Sequence, residues 1–274
     1  MARVAVIQFP GVNCEAETGR ALRLVGLEVD VFRWTRPAHE LRNFAAYVLP
    51  GGFSYQDRVR AGALAAKDPM VEVLGEEAER GKPVLGICNG AQVLVEAGLV
   101  PGARGQVELA LARNRMPGRD GYFSRWVYVR AEASDCLFTR SLPAGTLLPL
   151  PVAHGEGRFT SRRAGRLAAL ARSGQAPLRY VDASGNPADR FPENPNGSQA
   201  AIAGVCNPRG NVLALMPHPE RAVELGALPR AIGGAWGARR DRALEAAPPG
   251  SETVGAGPGL SLFEGLKRHL AGEA

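Results

Sequence analysis

The sequence predicts an α/β protein built on a parallel or mixed sheet with helices on both faces. In the first hundred residues, short apolar runs typical of buried strands alternate with segments of helical periodicity. From residue 106 to 215 the pattern changes to short strand-like runs separated by Gly, Pro and Asn turns, which predicts a mixed or antiparallel extension. A chain of 274 residues is long enough for one sizeable domain with a well-buried core.

The predicted elements follow one another in a regular order. They are a strand at 4–9, a helix at 15–25, strands at 28–34 and 45–50, a helix at 70–80, a strand at 84–87 and a helix through Val93, Leu94 and Val95. The acidic residues of the helix at 70–80 are expected on its outer face. Later strands are predicted at 147–152 and 211–216. In such a sheet, ligand sites lie at the carboxyl ends of the strands.

Cys88 lies in the most informative motif, a Gly-x-Cys-x-Gly turn between the strand at 84–87 and the helix that follows. This is the nucleophile-elbow pattern with cysteine in place of serine. A nucleophile at such a turn has a strained backbone, and side chains two residues away on either side would collide. The helix N-terminus favours the thiolate, and the backbone N–H of Asn89 can donate to an oxyanion. The alternative is a buried structural cysteine before a tight turn.

His218 and Glu220 can complete a catalytic triad with this cysteine. The strand at 211–216 ends at Pro217-His218-Pro219-Glu220, where two prolines fix the backbone around the imidazole. Glu220 can bond the second ring nitrogen and set the tautomer. A thiol, an imidazole base and an orienting carboxylate together indicate covalent acyl transfer. The alternative is an ordinary exposed turn.

A second His-x-Glu pair, His154 and Glu156, also follows an apolar strand. The residues alone favour His218 only slightly, because its prolines hold it in place. Gly51 and Gly52 follow the strand at 45–50, where they form either a simple turn or a close approach to substrate. In the second case the N–H of Gly52 supplies another oxyanion donor.

Taken together, these motifs resemble the class I, triad-type glutamine amidotransferases, and more narrowly the glutaminase subunits of phosphoribosylformylglycinamidine synthase. The resemblance covers about residues 1–225. Its segments are 4–15, 49–55, the cysteine elbow, 151–159, 195–198, 202–205 and 216–221. The elbow marks the superfamily alone, whereas Phe53-Ser54-Tyr55, the segment from His154 to Gly157 and Pro195-Asn196-Gly197-Ser198 together are specific to the subunit.

The resemblance implies a flavodoxin-like sheet and assigns roles to individual residues. It makes Cys88, His218 and Glu220 the catalytic residues and leaves His154 and Glu156 a structural or partner-coupling role. It implies that Gly51, Gly52, Asn89 and Gln92 bind the substrate. Gln56 departs from the family, which usually carries glycine there. The segment between Asn114 and Phe123 is longer than usual, which puts glutamine contacts from these two residues in doubt.

The activity that the resemblance implies is hydrolysis of glutamine through a Cys88 thioester. The ammonia would pass to a large synthetase subunit, which converts formylglycinamide ribonucleotide to its amidine in purine biosynthesis, with a small bridging subunit in the complex. This chain has no Walker-type phosphate loop, so ATP and Mg²⁺ are expected on the synthetase, with no cofactor here. The alternatives are a cysteine hydrolase or chaperone-like protein of similar fold, or a non-catalytic binding module.

Composition and charge argue against several other kinds of protein. The net charge of +6 is dispersed, which does not indicate a nucleic-acid groove. No apolar run approaches the roughly 18 residues that span a bilayer, and no signal peptide is evident. The four cysteines form no CxxC pair, so we expect no metal site and a reducing cytoplasm.

The C-terminal part of the sequence differs from the rest. Residues 1–225 are predicted to form the amidotransferase domain. Residues 226–259 are rich in Gly, Ala and Pro and are predicted to be a mobile insertion, with a docking segment as the alternative. Residues 260–274 are predicted to pack on the domain through an amphipathic helix.

Overall fold

The computed structural model describes residues 2–102, 105–248 and 254–273. The strands are β1 (Arg3–Gln8), β2 (Glu28–Arg33), β3 (Ala46–Leu49), β4 (Val84–Ile87), β5 (Ala110–Ala112), β6 (Phe123–Ala131), β7 (Leu147–His154), β8 (Arg158–Thr160), β9 (Leu178–Val181), β10 (Ile202–Cys206) and β11 (Val212–Leu215). The α-helices are α1 (Glu15–Leu24), α2 (Pro69–Glu79), α3 (Asn89–Glu96), α4 (Arg166–Arg172), α5 (Gly234–Ala246) and α6 (Leu260–Leu270).

Within the described residues, nine strands form one sheet in the order β2-β1-β3-β4-β11-β10-β9-β6-β7. Neighbours from β2 to β11 pair in parallel, and every pair from β11 onward is antiparallel. The predicted mixed α/β architecture is therefore confirmed. Strands β5 and β8 pair separately as a two-stranded sheet.

The parallel half of the sheet contains the most buried strands. All residues of β3, β4 and β11 are buried, which is why they occur as uninterrupted apolar runs without alternation. The predicted bounds of these strands agree with the structure to within one residue at each end. Among the helices of the described residues, none is both long enough and apolar enough to cross a bilayer.

Glu77 corrects the prediction that the acidic residues of the second helix lie on its outer face. Its side chain is only 2% exposed and forms ion pairs with Lys82 Nζ at 2.6 Å and with Arg80. Arg80 and Lys82, which follow α2, compensate the charge of the buried carboxylate. Helical periodicity alone does not predict such ion pairs.

The segment at 226–259 contains α5, a helix that the glycine-rich composition did not predict. Trp236 Nε1 donates to the carbonyl oxygen of Leu147 at 2.7 Å, and Arg240 is only 5% exposed. Helix α6 buries Leu262, Phe263 and Leu266 in the core. The mobility of the insertion stays a prediction. Residues 249–253 and 274, which fall within the predicted C-terminal segments, lie outside the described residues.

Candidate active site

Three predicted site segments follow three neighbouring strands. Gly51 and Gly52 come after β3, Cys88 after β4, and His218 after β11. Because these strands are adjacent and parallel in the order β3-β4-β11, their carboxyl ends bring the three segments together with Cys88 in the middle. The sheet thus assembles one site from residues that are up to 167 positions apart (51 to 218).

Cys88 has the strained backbone that the elbow motif predicts. Its φ of 51° and ψ of −105° lie where side chains are rarely tolerated. The turn is tight: a Cβ atom at position 90 would lie 2.0 Å from the carbonyl oxygen of Leu49. The Cys88 N–H donates to the Leu215 carbonyl oxygen at 2.7 Å, which ties the elbow to β11. The thiol is 6% exposed and contacts the Ala153 carbonyl oxygen at 3.6 Å.

His218 and Glu220 form a buried pair. His218 Nδ1 lies 2.5 Å from Glu220 Oε1, and both residues are 2% exposed. Burial alone would lower the pKa of His218, but the charges of Glu220 and Cys88 outweigh it and raise this pKa well above its usual range. The other ring nitrogen, Nε2, is buried without a hydrogen-bond partner among the described residues. This nitrogen is thus available for proton transfer.

The two glycines allow the imidazole and the loop after β1 to approach this turn closely. A Cβ atom at position 51 would lie 2.7 Å from His218 Cε1. At position 52, where φ is +149°, it would lie 2.6 Å from the Cα of Val12. Within the described part of the chain, the N–H groups of Gly52 and Asn89 donate no backbone hydrogen bond outside the regular elements. Both can therefore donate to a ligand.

A cavity of about 160 Å³ opens beside the thiol. It is smaller than the roughly 300–1,000 Å³ of pockets for drug-sized ligands, so it suits a small metabolite. Its lining comes from the loop after β3, the elbow and first turn of α3, the end of β7 with the loop after it, and the segment before β6. The lining residues are Gly52, Phe53, Asp57, Ala61, Cys88, Gln92, Tyr122, Ala153, His154, Gly155 and Glu156.

Asn89 and Gln92 hold the cavity walls together. Asn89 Oδ1 accepts from the Ser54 N–H at 3.0 Å, and Asn89 Nδ2 donates to Gln92 Oε1 at 2.8 Å. Gln92 Nε2 donates to the backbone oxygen of Glu156 at 2.7 Å. Both ends of the Gln92 amide are therefore engaged within the protein. That Gln92 also contacts substrate stays a prediction.

The second His-x-Glu pair has a different environment. His154 is 2% exposed, and its Nδ1 lies 3.1 Å from Asn114 Oδ1. Burial, reinforced by the charge of His218, lowers the pKa of His154 to about 3, so the ring is neutral. Asn114 also donates to the His154 carbonyl oxygen at 2.7 Å and accepts from the Gly157 N–H at 3.1 Å. Asn114 therefore organises the loop after β7.

Gln56 lies in a run of residues with left-handed backbone. Its φ is 58°, and Tyr55, Asp57 and Val59 have φ values of 52°, 51° and 71°. This conformation costs glycine little and other residues more, so glycine would fit position 56 with less strain than Gln56 does. Asp57 faces the cavity, where burial and the charge of Glu156 raise its pKa to about 6.

Cys14 lies beside His218 and Glu220, a position that the sequence did not indicate. It is 1% exposed, and Arg221 Nη2 donates to its Sγ at 3.0 Å. Ligand atoms of Cys14, His218 and Glu220 all lie within 4.8 Å of one another, a spacing that a metal ion could bridge. The guanidinium on the sulfur opposes a second cation there. That this site binds no metal stays a prediction.

Comparisons with known proteins match most of the chain. A family model for a CobB/CobQ-like glutamine amidotransferase domain matches residues 1–244. The phosphoribosylformylglycinamidine synthase subunit PurQ of Methanothrix thermoacetophila is 44% identical, over 98% of this chain and 98% of its own length. The same subunit of Thermomicrobium roseum is 48% identical over 86% of this chain and 92% of its own length.

Solved structures extend the likeness to three dimensions. A chain in the structure of PurLQS from Thermotoga maritima has 32% identity and a TM-score of 0.71, over 98% of this chain and 99% of that one. A glutamine amidotransferase from the same organism, at 19% identity and a TM-score of 0.50, shows the fold alone. The chain therefore belongs to the PurQ family, the glutamine amidotransferase subunits of phosphoribosylformylglycinamidine synthase in purine biosynthesis.

Proposed function

We propose that this chain hydrolyses glutamine with Cys88 as nucleophile, His218 as acid and base, and Glu220 as the group that orients the imidazole. One observation carries the proposal. The strained Cys88 elbow lies between Gly51-Gly52 and the buried His218–Glu220 pair, at the ends of three adjacent parallel strands. Each of these positions supplies one component of covalent acyl transfer.

In the first half-reaction the Cys88 thiolate attacks the side-chain amide carbon of glutamine. The carbonyl oxygen becomes an oxyanion, which the N–H groups of Gly52 and Asn89 stabilise. The raised pKa of His218 keeps its ring protonated. Its Nε2 gives that proton to the amide nitrogen as the C–N bond breaks, which leaves ammonia and a γ-glutamyl thioester on Cys88.

In the second half-reaction the neutral imidazole takes a proton from water. The resulting hydroxide adds to the thioester carbon, the C–S bond breaks, and glutamate leaves with Cys88 again a thiolate. Glu220 Oε1 holds Nδ1 throughout, so Nε2 faces the reacting atoms in both steps.

The ammonia would serve a separate synthetase subunit, with a small bridging subunit in the complex. The likeness to a chain of PurLQS and the matching subunits of phosphoribosylformylglycinamidine synthase support this assignment. In this scheme ATP and Mg²⁺ bind to the synthetase, because the sequence contains no Walker-type loop. We place the reaction in the cytoplasm, where its four free cysteines would stay reduced.

The experiment compares glutamine and ammonia as nitrogen donors for the assembled complex. We expect Cys88→Ala to abolish glutamine-dependent formation of the amidine ribonucleotide and to leave the ammonia-dependent rate within about twofold of wild type. The matched control is Cys206→Ala, a buried cysteine on β10, which should retain both activities. Loss of both activities in Cys88→Ala would show that the cysteine is structural and would overturn the proposal.

A further inference from the structure

Two carboxylates, Asp57 and Glu156, line the cavity beside Cys88. They come from different loops, one after β3 and the other after β7. Both loops are tied to the first turn of α3, the helix that begins at the nucleophile. Asn89 Nδ2 donates to Asp57 Oδ1 at 3.2 Å, and Gln92 Nε2 donates to the Glu156 backbone oxygen at 2.7 Å. The two acids therefore have fixed positions relative to Cys88.

Their negative charge has little compensation from the protein. Within the described residues, Asp57 forms no ion pair, and its carboxylate accepts from the neutral Asn89 amide. Glu156 accepts from the Ala61 N–H at 3.4 Å and lies 3.9 Å from Arg113, whose side chain is 91% exposed. Such a distant, solvated contact contributes little.

The electrostatic consequence is visible at Asp57. Burial and the charge of Glu156 raise its pKa to about 6. The charge of Glu156 disfavours ionisation of Asp57 in the shared cavity, and a cation between the two carboxylates removes that penalty. The cavity is therefore suited to a small ligand that brings a positive charge to this wall while its reacting group reaches the thiol.

We propose that Asp57 and Glu156 form the subsite that binds the α-ammonium group of the substrate, an inference that rests on the proposed function. Glutamine carries one cationic group, one anionic carboxylate and the neutral amide that Cys88 attacks. The two acids attract the ammonium and repel the carboxylate, so they set the orientation of the substrate. They also discriminate against amides that lack the amino group.

The test compares glutamine with glutaramate, the same amide without the α-amino group, in the assembled complex. In Asp57→Asn and in Glu156→Gln, we expect kcat/KM for glutamine to fall about 10- to 150-fold, the range of a lost charge-assisted hydrogen bond. Most of the loss should appear in KM. For glutaramate, kcat/KM should stay within about twofold, so the preference for glutamine shrinks. The control is Asp120→Asn, an exposed acid outside the cavity lining.

The pH profile provides a second readout. Because Asp57 must be ionised to bind the ammonium, we expect wild-type kcat/KM for glutamine to fall below about pH 6, and this limb should be absent in Asp57→Asn. Since the two variants change different loops, one that folds poorly by circular dichroism leaves the other to decide. A variant that loses activity equally on both amides, or keeps the wild-type preference, would overturn the inference. If wild type releases no ammonia from glutamine, the proposed function itself fails.

Discussion

At the scale of single residues, His154 and His218 show how neighbours determine the chemistry of identical side chains. Both are 2% exposed, and each precedes a glutamate by two positions. His218 contacts its own glutamate at 2.5 Å, which raises its pKa, whereas His154 contacts the neutral amide of Asn114 and has a pKa of about 3. Only His218 can be a protonated acid near neutral pH.

The two histidines should therefore separate kinetically. We expect His218→Ala to lower basal glutamine hydrolysis about 10²- to 10⁴-fold, the usual loss for a general acid–base group, and to impair thioester formation. His154→Ala should retain basal hydrolysis within about tenfold and weaken stimulation by the synthetase. Basal and stimulated rates, with thioester trapping, measure both effects. A larger basal loss in His154→Ala would reverse the triad assignment.

The thiols give a second residue-scale prediction. Cys88 lies at a helix N-terminus and lines the cavity, whereas Cys14 is buried under Arg221 outside the cavity lining. The glutamine-like electrophile diazo-oxo-norleucine should therefore modify Cys88 alone, and Cys14→Ser should be modified at the wild-type rate within about threefold. Peptide mass mapping with a time course provides the measurement. Equal labelling of Cys14 would contradict the assignment of the nucleophile.

The sequence indicated the residues of the proposed triad but not their surroundings. Cys88 and the His218–Glu220 pair lie in short motifs whose spacing reflects local backbone geometry. Cys14 was missed because its partner Arg221 is 207 positions away and is brought near by the sheet. One end of the Gln92 amide depends in the same way on the loop after β7, where the backbone oxygen of Glu156 accepts from it. Contacts between distant loops leave no local pattern.

At the scale of elements, α5 and the segment after it relate differently to the site. Helix α5 was not predicted, because its first residues are glycine-rich and only two of its residues, Gly237 and Arg240, are buried. Residues 238–246, most of which have high helix propensity, were the sequence signal that could have predicted this helix. By contrast, the segment after α5 contacts the chain just beyond His218 and Glu220. The N–H groups of Gly257 and Gly259 donate to the carbonyl oxygens of Val223 and Ala222.

These contacts predict opposite results for two changes. Replacing residues 234–253 by a short Gly/Ser bridge should keep glutamine hydrolysis within about threefold, since long surface insertions contribute little to closure entropy. Gly259→Ala should lower kcat substantially, because a Cβ atom there would lie 2.0 Å from the carbonyl oxygen of Pro219, the residue between His218 and Glu220. Displacing catalytic groups by about 1 Å can cost roughly 10²-fold.

Rates and circular dichroism of both variants provide the measurement. If the deletion keeps the fold but loses activity, α5 is a functional docking element. If Gly259→Ala has the wild-type kcat, the segment around Gly257 and Gly259 does not position His218 and Glu220.

At the scale of the whole molecule, the two ends of the sheet serve different purposes. The carboxyl ends of β3, β4 and β11 carry the strained elbow and His218, whose Nε2 has no hydrogen-bond partner in the part of the chain that the structure describes. The amino ends of β4 and β11 are instead held together by hydrogen bonds. Asn211 Nδ2 donates to the carbonyl oxygens of Ala78 and Lys82 at 2.8 and 2.9 Å. The parallel pairing of the first strands could be anticipated from α/β alternation. The place of β11 beside β4 and the antiparallel order β10-β9-β6-β7 depend on pairings between distant segments.

Glu77 lies near the amino end of β4. Changing it tests whether that end of the sheet stabilises the fold without affecting the site at the other end. Burial would raise its pKa, but hydrogen bonds from Lys82 and Arg80 outweigh burial and lower it. A carboxylate whose folded pKa lies below its unfolded value of about 4.3 stabilises the protein fully above that value. The contribution disappears as the pH falls through the folded pKa. Protonated Glu77 then resembles glutamine.

We therefore expect Glu77→Gln to lower the free energy of unfolding by about 1–3 kcal/mol at pH 7 and to approach wild type below about pH 4. Denaturant unfolding across this range measures the difference. The matched control is Glu76→Gln, whose partner Arg42 is 42% exposed, so its loss should stay below about 1 kcal/mol. Because Glu77 lies at the end of the sheet opposite Cys88, KM and kcat for glutamine should not change. An altered KM, or a stability difference that persists in acid, would show that the two ends are coupled.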